Sequence, residues 1–256
     1  MSLFDDIVHC PLARRILAGN GASTDAKACR EVVLAQRMPT AAWHVPEPWN
    51  GELSARLLFL SSNPSFDAGE DYPRGDPLEP DPATFFPVRF TGGRAPDVPW
   101  VRDLRVRLTN GGYGERAPQY WSEIRNAASD LLGCAPGDLD WAHDIALSEV
   151  VHCKSKGNEG VEAALETCTR RFLSALLRES AAKVIVWYGR ARSAYRSQLA
   201  PDRPVPDTEL VGPLQVEGRE RYLLFLPAPG CARPRRPRKV LDPAQLKAVR
   251  DWLASA

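Results

Sequence analysis

The chain of 256 residues has no run of 18 apolar residues, so no membrane-spanning helix is expected. Its start, Met1 to Cys10, carries Asp5 and Asp6 and lacks the basic stretch and apolar core of a secretory leader. A cytoplasmic protein with no membrane partner is expected. Net charge is also lacking. At +1, the molecule as a whole is not a basic nucleic-acid glue. Cysteine is sparse, with Cys10, Cys29, Cys134, Cys153, Cys168 and Cys231. In a reducing compartment these do not make a disulfide framework. They are core thiols or, on the sharper reading, ligands of a metal or iron–sulfur site. There is no internal repeat. With 44% apolar and 25% charged residues, the chain is also no candidate for disorder.

What is present is uneven. Of 33 cations, 27 are arginine, and Cys231 to Val240 holds Arg233, Arg235, Arg236, Arg238 and Lys239 without an acid. Such a segment is either a solvated loop or a contact to phosphates, onto which arginine forks. Residues 1–50 read as helices, at about 11–18 and 25–37, followed by a connector rich in tryptophan and proline. From residue 51 an α/β pattern begins. Four short apolar runs, Leu57–Leu60, Ile145–Val151, Val184–Trp187 and Tyr222–Leu226, fit buried strands. Helical patterns lie between and after them. Tyr120 to Leu132 and Glu162 to Glu179 each carry one apolar face, and Asp242-Pro243 opens a last helix. The alternation predicts a single α/β domain over 1–256, with a short central parallel sheet and helices on both faces. Tyr72 to Pro99 contains seven prolines and no period, and reads as a long loop. It follows the first strand, and ligands of open α/β sheets sit at the carboxyl ends of strands.

The first strand ends in Ser61-Ser62-Asn63-Pro64-Ser65-Phe66-Asp67, a tight turn that presents Asn63 above the sheet. The fourth ends in Leu226-Pro227-Ala228-Pro229-Gly230-Cys231, and the basic segment follows at once. Together these resemble the uracil-DNA glycosylase superfamily. Ser61 to Ser65 looks like the Gly-x-Asn-Pro-Gly motif of the mismatch-specific uracil and thymine glycosylases. Leu226 to Gly230 looks like the second motif, although Leu226 stands where another form of that motif has histidine. The middle of the chain is similar to the iron–sulfur families of the superfamily. It has Ser148-Glu149-Val150-Val151-His152-Cys153, then Ala164 to Cys168, then Lys183 to Gly189, and Phe90-Thr91-Gly92 resembles their Phe-Thr-Gly.

The resemblance implies a monomeric, monofunctional DNA glycosylase that flips a base out of the duplex and attacks the sugar with water. Asn63 would position the water. Asp67, Glu70 and Asp71 are the nearby carboxylates able to take its proton, and Asp67 is preferred. Ser62, Phe90 and Glu149 would hold the base, Phe90 by stacking. Pro227, Ala228, Gly230, Arg233, Arg235 and Arg236 would meet DNA, with the wedge position near Ala232 or Arg233. Cys10, Cys29, Cys153 and Cys168 would hold a structural [4Fe–4S] cluster, although position 7, where a further cysteine is expected, is Ile7. Cys134 and Cys231 match nothing.

Glu149 stands where the iron–sulfur families place an asparagine that reads uracil. A carboxylate only accepts hydrogen bonds, which suits the amino group of cytosine and not O4 of uracil. The expected base is therefore a modified cytosine, as in some phage DNA, and the role antiviral defence. The rival readings are a uracil or thymine-mismatch repair glycosylase and a catalytically silent DNA-binding relative.

Overall fold

The computed structural model of the protein describes residues 2–198, 209–228 and 235–255. Helices α1 (Leu3–Val8), α2 (Pro11–Leu17) and α3 (Thr24–Leu34) come first. Strand β1 (Leu57–Ser61) is followed by a short helix, α4 (Pro82–Phe85), and two small ribbons, β2 (Gly93–Ala95) with β3 (Val98–Pro99) and β4 (Val101–Arg102) with β5 (Arg105–Val106). Then come α5 (Gln119–Leu132), β6 (Ile145–Glu149), α6 (Val161–Glu179), β7 (Val184–Tyr188) and α7 (Ala191–Gln198). Strands β8 (Glu209–Val216) and β9 (Arg219–Leu226), and helices α8 (Pro237–Val240) and α9 (Pro243–Ala254), complete the order.

The main sheet runs β6-β1-β7-β9-β8. Four strands are parallel, as their apolar runs predict. The fifth, β8, is antiparallel to β9, so the sheet is mixed and not wholly parallel. The two-residue turn Glu217-Gly218, both at positive φ, joins β8 to β9 and suits the twist of a hairpin.

Side chains of successive strand residues point to opposite faces, and both faces are covered. On one, Leu58, Leu60, Ile185, Trp187 and Phe225 pack under α1, α2, α3, α6 and α7. On the other, Leu57, Phe59, Leu147, Val186 and Leu224 pack under α5 and α9. The N-terminal helices thus share a core with the sheet. Helix α3 stops at Leu34, short of the expected residue 37. Arg37 turns at φ 51°, and Gln36 caps the reversal by pairing with both backbone groups of His44. Strand β6 stops at Glu149, where the chain leaves the sheet.

The long segment after β1 is not bare loop. Tyr72, Phe85, Phe86 and Trp100 join Val8 and Val45 in a small core of their own. The free edge of β6 is covered by the connector, since Asn50 and Leu147 exchange backbone hydrogen bonds of 2.8 and 2.9 Å. The carboxyl ends of the parallel strands, at Ser61, Glu149, Tyr188 and Leu226, lie along one edge of the sheet. Among the described residues no helix is long and apolar enough to cross a membrane.

Gly160 precedes α6 at φ 73°, and a Cβ there would lie 2.2 Å from the Val32 nitrogen of α3. Gly157 also has positive φ (62°) but open space around it. Gly157→Ala should cost about 1 kcal/mol, the scale of a left-handed residue with a side chain. Gly160→Ala should cost at least about 2 kcal/mol more, because backbone must move. Urea unfolding of both variants checks this, and equal losses would contradict the packing.

Candidate functional site

The turn after β1 is sewn to the chain leaving β6. Backbone N–H groups of Val150, Val151 and Ser155 donate to the carbonyls of Ser61, Ser62 and Pro64 at 3.0 to 3.2 Å. The Asn63 amide donates to Ser155 Oγ at 3.0 Å and to the Pro64 carbonyl at 3.1 Å. Its Oδ1 accepts from the Ser62 hydroxyl at 3.3 Å. The amide is therefore oriented, with the second lone pair of its oxygen left for a ligand.

Beneath this turn lies a buried group of charges. Arg89 donates to Glu47 at 3.0 Å and to Glu70, and Lys154 donates to Glu70 at 2.6 Å. The Tyr72 hydroxyl donates to Glu47 at 3.1 Å, and the Lys154 ammonium sits 3.7 Å from the centre of its ring. Burial opposes the Glu70 charge, but Lys154 and Arg89 outweigh it and hold that carboxyl below its usual range. Burial likewise opposes the Arg89 charge, and Glu70 and Glu47 hold it above its usual value. His44 stacks on Tyr72 at 4.9 Å, and burial pushes it down to about 3, so it is neutral.

Glu149 is the third acid in this space and, among the described residues, has no ion-pair partner. Its Oε1 accepts from Ser61 Oγ at 3.4 Å, while its Oε2 is buried without a partner. Burial, and then Glu47, drives its carboxyl well above the ordinary 4.5. Two cations thus face three acids, and Glu149 is the one whose carboxyl is driven toward the neutral form. In that form it offers a donor as well as an acceptor. The Tyr120 hydroxyl faces Ser61 and Glu149 without completing a hydrogen bond, and the Tyr188 hydroxyl is also buried and unpartnered. The two tyrosine rings are 5.9 Å apart. Among the described residues, these three buried oxygens near the ends of β6 and β7 have no completed hydrogen bond.

Phe90 borders the same region, stacked on Trp141 at 4.5 Å and edge-on to Trp121, over whose ring Arg89 lies at 5.0 Å. Asp67 lies elsewhere. It is exposed, and its Oδ1 caps a turn by accepting from the Gly69 N–H at 2.9 Å. Asp71 is paired with Arg94 and Arg107. Pro227 is buried, and Ala228 packs against Gly189, where a Cβ would come within 2.8 Å of it. Gly230, Cys231, Ala232 and Arg233 lie outside the described residues. Arg235 pairs with Glu123 at 2.8 Å, and Arg236 grips Asp130. Both acids belong to α5, so these arginines anchor the basic segment to the fold.

Cys10, Cys29, Cys153 and Cys168 line one buried cavity between α2, α3 and α6, walled by Leu12, Val32, Val151 and Phe172. Burial raises the thiols of Cys153 and Cys168 and brings Cys29 to about 11, and neighbouring cysteines add to each shift. Among the described residues no three His, Cys, Asp or Glu side chains are grouped so as to hold a metal ion. Cys134 stands apart, packed against the opposite face of the sheet.

The residues that sequence reasoning missed are Glu47, Arg89, Lys154, Tyr120 and Tyr188. Only weak local signals marked them: Glu47 stands between two prolines, Arg89 precedes Phe90, and Lys154 follows Cys153. No protein-family model matches the chain, and no curated protein sequence matches it.

The two carboxyls have opposite pH signatures. Glu149 binds its proton more tightly folded than unfolded, so above pH 4.5 it progressively lowers stability. Glu70 contributes stability above the usual carboxylate range, and loses it as pH falls through its depressed value. Glu149→Gln should therefore melt higher than wild type at pH 8 and equal to it at pH 4. Lys154→Met leaves the buried Glu47 and Glu70 to share Arg89 alone and should cost roughly 3 kcal/mol at pH 8. Thermal melts across pH measure both. A Glu149→Gln difference that ignores pH would contradict the neutral carboxyl.

Proposed function

We propose that the protein is a monofunctional DNA glycosylase that hydrolyses the N-glycosidic bond of a flipped pyrimidine, with a cytosine derivative preferred. The observation that carries this is an oriented Asn63 amide just past the end of β1 and an unpartnered Glu149 Oε2 at the end of the neighbouring β6. The superfamily motifs that the chain resembles put a water-positioning residue and a base-reading residue at those two places. Support also comes from the strand order, whose carboxyl-end crevice is the usual ligand position in such sheets.

The neutral Glu149 carboxyl has one donor and one acceptor. Cytosine presents the complement, an acceptor at N3 and a donor at its amino group. Uracil presents the reverse pair, N3–H and O4, which a carboxyl can also satisfy. The rival uracil reading keeps that much support. What favours cytosine is the treatment of the leaving base. Uracil leaves as an anion and calls for a cationic group on it. Leu226 occupies the position of the motif histidine, and the two buried cations are already paired with Glu47 and Glu70. A carboxyl held protonated suits a base that must be neutralised as it leaves.

We also propose that Cys10, Cys29, Cys153 and Cys168 hold a structural [4Fe–4S] cluster. Four cysteine side chains lining one cavity are the donor set that such a cluster takes. The cluster's positive irons would offset the cost of ionising buried thiols.

Duplexes carrying uracil, a thymine mismatch or phage-type modified cytosines, incubated with the protein and assayed for free base, test the first proposal. Release of a modified cytosine is expected, and Asn63→Ala should cut it by about 10²-fold or more while DNA binding persists. Release of uracil alone would favour the repair reading. No release from any duplex at enzyme excess, with DNA still bound, would favour a silent binding protein. For the second proposal, anaerobically purified protein should be brown with about four irons per chain. Cys153→Ser should lose both colour and iron. A colourless, folded, iron-free wild type would remove the cluster.

A further inference from the structure

Glu149 is the one acid of the buried group that neither buried cation engages, and its Oε2 has no partner among the described residues. The groups facing it come from every element around it. Ser61 comes from β1, Tyr120 from α5, Glu47 from the connector, Arg89 from the segment after α4 and Lys154 from the chain leaving β6. Arg89 and Lys154 are engaged by Glu47 and Glu70, and the tyrosine hydroxyls are far weaker acids than a carboxyl. His44 is neutral and carries no second proton to give. Ser61 ties down Oε1, so Oε2 is the oxygen left without a partner among the described residues.

We propose that Glu149 is the catalytic acid of the reaction, passing the proton on Oε2 to ring N3 of the departing cytosine derivative. The proposal rests on the glycosylase reading and deepens it. The C1′–N1 bond breaks and its electron pair goes to the base. The proton from Oε2 arrives at N3, so the base leaves as a neutral molecule and Glu149 becomes a carboxylate. The oxygen of a water held by Asn63 bonds to C1′, and the proton that this water sheds reaches Glu149 through solvent. Nothing is oxidised or reduced, and the net change is one water consumed.

A cytosine anion is a more basic leaving group than a uracil anion, so the proton matters most for cytosine. Arg89 and Lys154 face the carboxylate that forms and stabilise it at the moment of transfer. The same burial that keeps the acid neutral at rest thereby supplies the driving force. Uracil, whose N3 already bears hydrogen, cannot take the proton there.

The test compares wild type with Glu149→Gln, which keeps one donor and one acceptor but has no proton to transfer. In single-turnover assays the ratio of cytosine-derivative release to uracil release should fall by about 10²-fold or more. The wild-type rate on the cytosine derivative should decline as pH rises and the acid ionises, and the Gln variant should lose that dependence. Infrared difference spectra of wild type minus Glu149→Gln should show a protonated carboxyl band at neutral pH. An unchanged ratio in the variant, or a carboxylate band in the free wild type, would overturn the proposal while leaving the glycosylase reading standing. Wild type that releases neither base would overturn both. Should the variant not fold, the wild-type pH profile decides: a rate on the cytosine derivative that does not fall with pH contradicts the acid.

Discussion

Three acids and two cations share a water-poor space at the carboxyl ends of β1 and β6, and most of the site follows from that imbalance. Glu47 and Glu70 engage Arg89 and Lys154 directly. The third acid, Glu149, must then be neutral or bear an uncompensated charge, and burial selects the neutral form. The arrangement costs stability at neutral pH, and such costs are characteristic of sites where a group is kept ready for a ligand or a reaction. The tyrosine hydroxyls of α5 and β7 add two more unsatisfied oxygens in the same region.

The chain leaving β6 distributes this chemistry. Val150 and Val151 lock the Asn63 turn through their N–H groups, and His152 fixes the connector by pairing with the Glu47 carbonyl at 2.7 Å. Cys153 then faces the cysteine cavity, Lys154 the buried acids and Ser155 the Asn63 amide. Three adjacent residues thus connect the cavity, the charge group and the turn.

The sheet was legible because its four parallel strands are buried on both faces, so each reads as an unbroken apolar run. Strand β8 was not, because it is a half-exposed edge interrupted by Gly212-Pro213, where its register slips. The six-residue helix α1 is too short to show a period. The four cysteines could be grouped on resemblance, and the fold brings them to one cavity. The charge group could not, since Glu47, Glu70, Arg89 and the pair Glu149 and Lys154 come from four separate stretches and meet only after the connector lies along β6. Arg235 and Arg236 read as free phosphate contacts because the acids that hold them, Glu123 and Asp130, are more than a hundred residues away in sequence.

The central claim is that a flipped base sits at the strand ends, between the oriented amide of Asn63 and the neutral carboxyl of Glu149. A crystal structure of the protein with a duplex carrying a non-hydrolysable, 2′-fluorinated cytosine-derivative nucleotide tests it most directly. The account predicts an extruded base whose N3 lies within hydrogen-bond distance of Glu149 Oε2, with a water between Asn63 Oδ1 and C1′. A duplex bound with every base stacked, or an extruded base remote from Glu149, would contradict it.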